Sequence, residues 1–140
     1  MRFMIIVKGS KETERGAKPT NRLASEMAAY HEELAKAGAL LDGSGLHPSA
    51  RGWRVQYSGA RRTLVDGPFA EAKELVAGYT LIQAKSREEA VEWSRRFPNP
   101  SVDGREAEIE VRQLYELEEI IPDNGVIGRF QKIGIGAKKK

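Results

Sequence analysis

The chain has no cysteine, only two histidines in 140 residues, and no apolar run of about 18 residues, the length a membrane-spanning helix needs. The first absence removes disulfide scaffolds and thiolate metal centres. The second leaves His31 and His47 as the main groups that titrate near neutral pH, so acid–base chemistry has few candidates. Two isolated histidines among scattered carboxylates also offer no metal-ligand spacing. There is no glycine-rich phosphate loop and no Gly-x-Ser-x-Gly elbow. Met1 to Val7 is a short apolar strand without the charged lead or cleavage site of a signal peptide, so a cytoplasmic protein with no membrane partner is expected.

What is present is ordinary for one globular domain: 40% hydrophobic and 31% charged residues. The pI of about 9.2 suggests nucleic acid until the charge is located. Residues 122–140 carry Arg129, Lys132, Lys138, Lys139 and Lys140 against Asp123, a net of +4, which leaves residues 1–121 at −1 of the total +3. Phosphate binding needs clustered Lys and Arg on a folded surface, so no nucleic-acid partner is expected. The chain divides into a domain over residues 1–121 and a basic, loosely ordered tail over 122–140 with one short strand.

Phe3 to Val7 reads as a strand and Lys8 to Pro19 as a loop long enough to form a lid. From Thr20, apolar residues at Leu23, Met27, Tyr30, Leu34 and Ala37 draw one helical stripe that Gly38 ends. Trp53, Val55 and Tyr57 alternate with polar residues before Ser58-Gly59, and Arg62 to Val65 completes a hairpin. Gly78 to Ala84 is a further strand. Ser86 and Glu89 have capping-box spacing and open a second helix with Ala90, Trp93 and Phe97 on one face. Glu108 to Arg112 alternates as a half-buried strand and continues to Tyr115. The order β-α-β-β-β-α-β implies an α+β, ferredoxin-like antiparallel sheet with two helices on one face and an extra hairpin. Its other face needs a cover, and a homodimer supplies one.

Residues 66–74, Asp66-Gly67-Pro68-Phe69-Ala70-Glu71-Ala72-Lys73-Glu74, combine a constrained turn, an aromatic and four charges. They are either a capped turn whose charges face water, or a loop that Phe69 pins to the core while Asp66, Lys73 and Glu74 face a cleft.

Gly45-Leu46-His47-Pro48-Ser49, Asp66 to Glu74, Gly78-Tyr79, Glu89-Ala90-Val91-Glu92-Trp93 and Glu108-Ile109-Glu110-Val111-Arg112 occur together and in order. With these motifs the chain resembles the YCII-related family, in the branch named after its DGPF motif, over about residues 1–120. The resemblance implies a ferredoxin-like fold that pairs into a dimeric α+β barrel. Some relatives are associated with lyase or dehydrochlorinase chemistry on chlorinated aromatics, and DGPF members often lie beside alternative sigma factors, a hint of stress-related roles. The wider family carries a helix-one histidine proposed to act with an aspartate; the surroundings of His31, Tyr30-His31-Glu32-Glu33-Leu34, do not clearly match that motif.

Two readings follow. In one, the dimer is a cofactor-independent enzyme of lyase or hydrolase type acting on a small aromatic or carboxylate-bearing molecule. His47 is then the general base, aimed by Pro48; Asp66 orients it if the two loops meet; Glu74 is a second carboxylate for proton transfer. Lys73 or Arg112 holds the anion, and His31 borders the cleft. In the other, the same cleft belongs to a non-catalytic small-molecule-binding or regulatory module. Each residue also has a plainer role: His31 as a surface residue beside Glu, Lys73 in a solvated charge cluster, Arg112 paired along a strand face with Glu108 and Glu110.

Overall fold

The structure, a computed structural model, describes residues 1–136; the run Lys138-Lys139-Lys140 lies outside them. Its elements in order are β1 (Arg2–Lys8), α1 (Lys11–Glu14), α2 (Asn21–Lys36), β2 (Leu40–Gly45), β3 (Trp53–Ser58), β4 (Arg61–Asp66), β5 (Val76–Gln83), α3 (Arg87–Arg95), β6 (Ile109–Gln113), α4 (Leu117–Ile120) and α5 (Asn124–Lys132). β2, β5, β1 and β6 form one antiparallel sheet in that order, while β3 and β4 pair as a separate two-stranded ribbon. The architecture is α+β, with the strand order of a ferredoxin-like sheet.

The two long helices form where capping and periodicity direct. Thr20 accepts a hydrogen bond from the Leu23 N–H to start α2, and Ser86 accepts from Glu89 N–H to start α3. Phe3 and Ile5 of β1 and Ile82 of β5 point to one side of the sheet, where they meet Tyr30 and Leu34 of α2 and Ala90 and Trp93 of α3. Both helices therefore cover the same face. Inside this core Tyr30 donates its hydroxyl to the Trp93 carbonyl at 2.7 Å and lies edge-on to Phe97 with ring centroids 5.2 Å apart. Burial pushes the Tyr30 phenol up to about 12, so it stays a donor throughout the neutral range.

Three expectations change. The sheet contains a strand, β2, that has no counterpart among the expected elements. Asp42-Gly43-Ser44-Gly45 has neither β-branched residues nor alternation, and its pairing to β5 holds it extended instead. A Cβ on Gly78 would stand 3.0 Å from the Ser44 carbonyl oxygen, so the glycine there permits the close approach of the two strands. With β2 at the sheet edge, the β3–β4 hairpin is displaced from the sheet, and Trp53, Tyr57 and Leu64 are exposed.

The Lys8 to Pro19 loop contains the one-turn helix α1, capped because Ser10 and Thr13 bond each other's backbone N–H groups. Threonine in place of Glu or Gln hides that box in the sequence. The expected short strand in the tail is instead the helix α5, opened by Asp123, which accepts from the Gly125 and Val126 N–H groups, and it buries Ile127.

On the sheet face away from the helices, Ile6 is flanked by Tyr79 and Glu110, and Met4 by Leu81 and Arg112. Met4, Ile6 and Leu81 are half-buried there.

Candidate functional site

The α2 stripe has two destinations. Tyr30 and Leu34 enter the core, whereas Leu23, Ala24, Met27 and His31 look into a cavity of about 820 Å³ between α2, β2, β5 and the loop at Leu46 to Pro48. The walls are mostly apolar, with Leu40, Ala77 and Phe97 among them. A concave, apolar site with a few convergent polar groups is the usual form of a small-molecule site.

His31 is the organised polar group in it. Its Nδ1 lies 2.7 Å from the Met27 carbonyl and its Nε2 lies 2.8 Å from Thr80 Oγ1. A carbonyl only accepts, so Nδ1 carries the proton, and the Nε2 lone pair accepts the Thr80 hydroxyl. The tautomer follows from these partners without a carboxylate. Thr80 is 2% exposed on β5, on the strand parity that otherwise enters the core. Gly43 stands beside the pair: a Cβ there would be 3.6 Å from Nε2 and 3.7 Å from Oγ1, so the glycine leaves open space next to both atoms. Tyr79 meets the cavity wall through its backbone; its side chain, on the other face of β5, donates its hydroxyl to Asp42 at 3.1 Å, and that bond to a carboxylate pushes its phenol pKa up.

The other expected residues lie elsewhere. His47 is exposed at the cavity's rim, with both ring nitrogens 3.3 Å from an Arg51 guanidinium nitrogen and not on a carboxylate. Asp66 is exposed at the end of β4, opposite Trp53, and the structure does not bring it to His47. Lys73 and Glu74 are exposed on a single 3₁₀ turn, Ala72–Glu74, outside the cavity lining. Arg112 pairs with Glu110 at 3.3 Å on the helix-free face of the sheet. His31, expected at the border of a cleft, lies inside one. Among the described residues no three His, Asp or Glu side chains converge as metal ligands would.

The Asp66 loop has a structural task. Gly67 donates its N–H to the Gly52 carbonyl at 3.0 Å, and a Cβ on Gly67 would overlap the Ser49 carbonyl oxygen. Phe69 N–H donates to Ser49 Oγ at 3.0 Å, and Ser49 gives its own N–H and hydroxyl to Glu14 at 3.1 and 2.8 Å. The Gly67–Pro68 peptide is cis. Phe69 is half-buried under the Arg54 guanidinium, 3.8 Å from its ring centroid, and not in the core as expected. The loop thus holds the hairpin base, the segment after the cavity rim, and α1 together.

Two groups at the cavity escape sequence reasoning. Thr80 has one signal, a polar residue at a core-facing strand position. Lys18, which lines the cavity, has none, because the α1–α2 connection that places it is irregular.

A model of the YCII-related domain matches residues 1–117. An uncharacterised protein of Rhizobium meliloti (strain 1021) is 28% identical over 99 residues, 71% of this chain and 80% of that protein. Among solved structures, a 5-chloro-2-hydroxyhydroquinone dehydrochlorinase from Burkholderia phenoliruptrix AC1100, in complex with 2,5-dihydroxybenzoquinone, aligns with a TM-score of 0.46 at 15% identity, over 85% of this chain and 98% of that one. Among the described residues no helix is long and apolar enough to cross a membrane. With the family model matched across most of its length, the chain belongs to the YCII-related family.

Proposed function

We propose that this protein is a cofactor-independent enzyme of lyase or hydrolase type that moves a proton on a small aromatic or carboxylate-bearing molecule, with His31 as the base. The observation that carries the reading is the His31–Thr80 pair: an imidazole with its proton held on Nδ1 and its Nε2 accepting the Thr80 hydroxyl, both residues in the wall of an apolar cavity. A substrate proton reaches Nε2 either directly, with the substrate replacing Thr80 as donor, or through Thr80 Oγ1, which takes that proton as it passes its own to Nε2. Both routes end at an imidazolium whose Nδ1–H is held by the Met27 carbonyl and whose Nε2–H faces the deprotonated substrate in the direct route or Thr80 Oγ1 in the relay. His47 sits at the rim to meet the ligand, while Asp66, Glu74, Lys73 and Arg112 lie outside the cavity lining and are given no step in this reading. Turnover of a panel of small aromatic acids, compared between the native protein and His31→Gln, tests the reading. Retention of an acid without turnover would favour the non-catalytic binding or regulatory module.

The chain also fits the DGPF branch of the family, supported by Asp66-Gly67-Pro68-Phe69 and its tie to Ser49. It further fits a homodimer in which two copies join their sheets as an α+β barrel. Met4, Ile6 and Leu81, on the face away from the helices, support that pairing. Light scattering behind gel filtration at low micromolar protein is expected to give twice the 15.6 kDa chain mass, and a clean single-chain species would remove the dimer.

A further inference from the structure

We infer that Lys18 is the anion-binding residue of the cavity, and that the ligand is an apolar monoanion, an aryl carboxylate or phenolate, whose charge sits at Lys18 while its body fills the space beside His31. This rests on the reading of that cavity as the ligand site.

Three observations carry it. The first is the charge of the wall. Among the described residues the ionisable residues lining the cavity are Lys18, His31 and His47, with Tyr79 there by its backbone only; no Asp or Glu lines it. A cavity with one fixed cation and no carboxylate prefers an anion over its neutral or cationic isostere.

The second is the state of Lys18. Its ammonium has no ion pair or hydrogen-bond partner among the described residues. The carboxylates nearest in sequence are engaged, Glu12 by Arg15 at 3.6 Å and Glu14 by Ser49, and the first turn of α2 has no acidic residue. Its charge is therefore available to a ligand.

The third is how Lys18 is held. Gly16 N–H donates to Thr13 and Ala17 N–H to Glu12, closing α1 immediately before Lys18, and Pro19 with the Thr20 cap fixes the chain immediately after it. Glu14 anchors α1 to Ser49, which follows the rim residues Leu46 to Pro48. The backbone that carries Lys18 is thus tied to both sides of the opening, and less entropy is lost on capture than from a free loop.

The test is an NMR titration of the full chain with benzoate, benzamide and benzylammonium, read at the Met27 methyl, the His31 ring and the Phe97 ring. Benzoate is expected to bind about fivefold tighter than benzamide at low salt, the upper range for a solvent-accessible ion pair, and benzylammonium most weakly. Lys18→Met is expected to remove the preference for benzoate while leaving benzamide affinity unchanged, and Lys18→Arg to keep it. Lys18 is exposed, so neither change threatens folding. If benzoate keeps its preference in Lys18→Met, the assignment of Lys18 is overturned and the cavity reading stands. If none of the probes moves the cavity resonances, the cavity reading fails and takes this inference with it.

Discussion

Replacing His31 by glutamine is expected to lower turnover by about 10²- to 10⁴-fold, the range a positioned general base contributes. Glutamine suits the experiment because its amide offers a donor to the Met27 carbonyl and an acceptor to the Thr80 hydroxyl, the two bonds the imidazole makes. The fold loses little and the basic nitrogen is gone. Alanine would confuse the result, since the 2%-exposed Thr80 hydroxyl would lose its partner at a cost of about 1–3 kcal/mol. Rates are to be compared at saturating substrate, with the far-UV spectrum and melting temperature confirming a native fold. A rate within experimental error of the native protein would take the base role from His31. The same change at His47, an exposed rim residue bonded to Arg51, is expected to alter binding and not the rate.

The second large effect is structural. Gly67→Ala places a methyl group on the Ser49 carbonyl oxygen, which is backbone and cannot rotate away. Relief requires the loop to lift, and lifting breaks the Gly67–Gly52 and Phe69–Ser49 hydrogen bonds together. Two bonds at about 1 kcal/mol each, with overpacking of about 1–3 kcal/mol, bring the local cost to about 3–5 kcal/mol. The damage reaches the hairpin base and the Ser49 segment but spares the four-stranded sheet, which does not include β3 or β4. Hydrogen exchange read residue by residue should therefore show lost protection at Gly67 and Phe69 with the amides of β1 and β5 unchanged. Native protection at Phe69 in the variant would mean that the loop does not dock as described.

The parts of the fold legible in the sequence are those in which local pattern and tertiary packing agree. Leu23 to Leu34 and Ala90 to Phe97 have helical spacing, their caps are Thr20 and Ser86, and the core contains Tyr30, Leu34, Ala90 and Trp93. β2 was hidden because its extended form comes from pairing to β5 and not from Asp42-Gly43-Ser44-Gly45 itself. The site shows the same division. His47, in a Pro-restrained loop, looks like the aimed histidine; His31, one residue from the core-facing Tyr30, looks like a helix-surface residue. Only the placement of Thr80 opposite it on β5 reverses that order. Lys73 and Arg112 were natural anion partners by charge pattern, yet cavity walls are built from elements distant in sequence, and Lys18 enters through an irregular connection no pattern describes. The Asp66 loop drew attention for its charges, and the structure uses its backbone: Gly67 for the approach to Ser49 and the Phe69 N–H for its hydroxyl.

As the proposed base, the His31 ring holds its proton on Nδ1 and turns Nε2 to the Thr80 hydroxyl in the cavity wall. Nitrogen-15 spectroscopy of the His31 ring at a pH where it is neutral, with benzoate then added, tests this most directly. A single tautomer protonated at Nδ1, an Nε2 that accepts the Thr80 hydroxyl, and movement of both signals when benzoate enters are expected. A ring protonated at Nε2, or one whose signals ignore the ligand while others in the cavity respond, would contradict it.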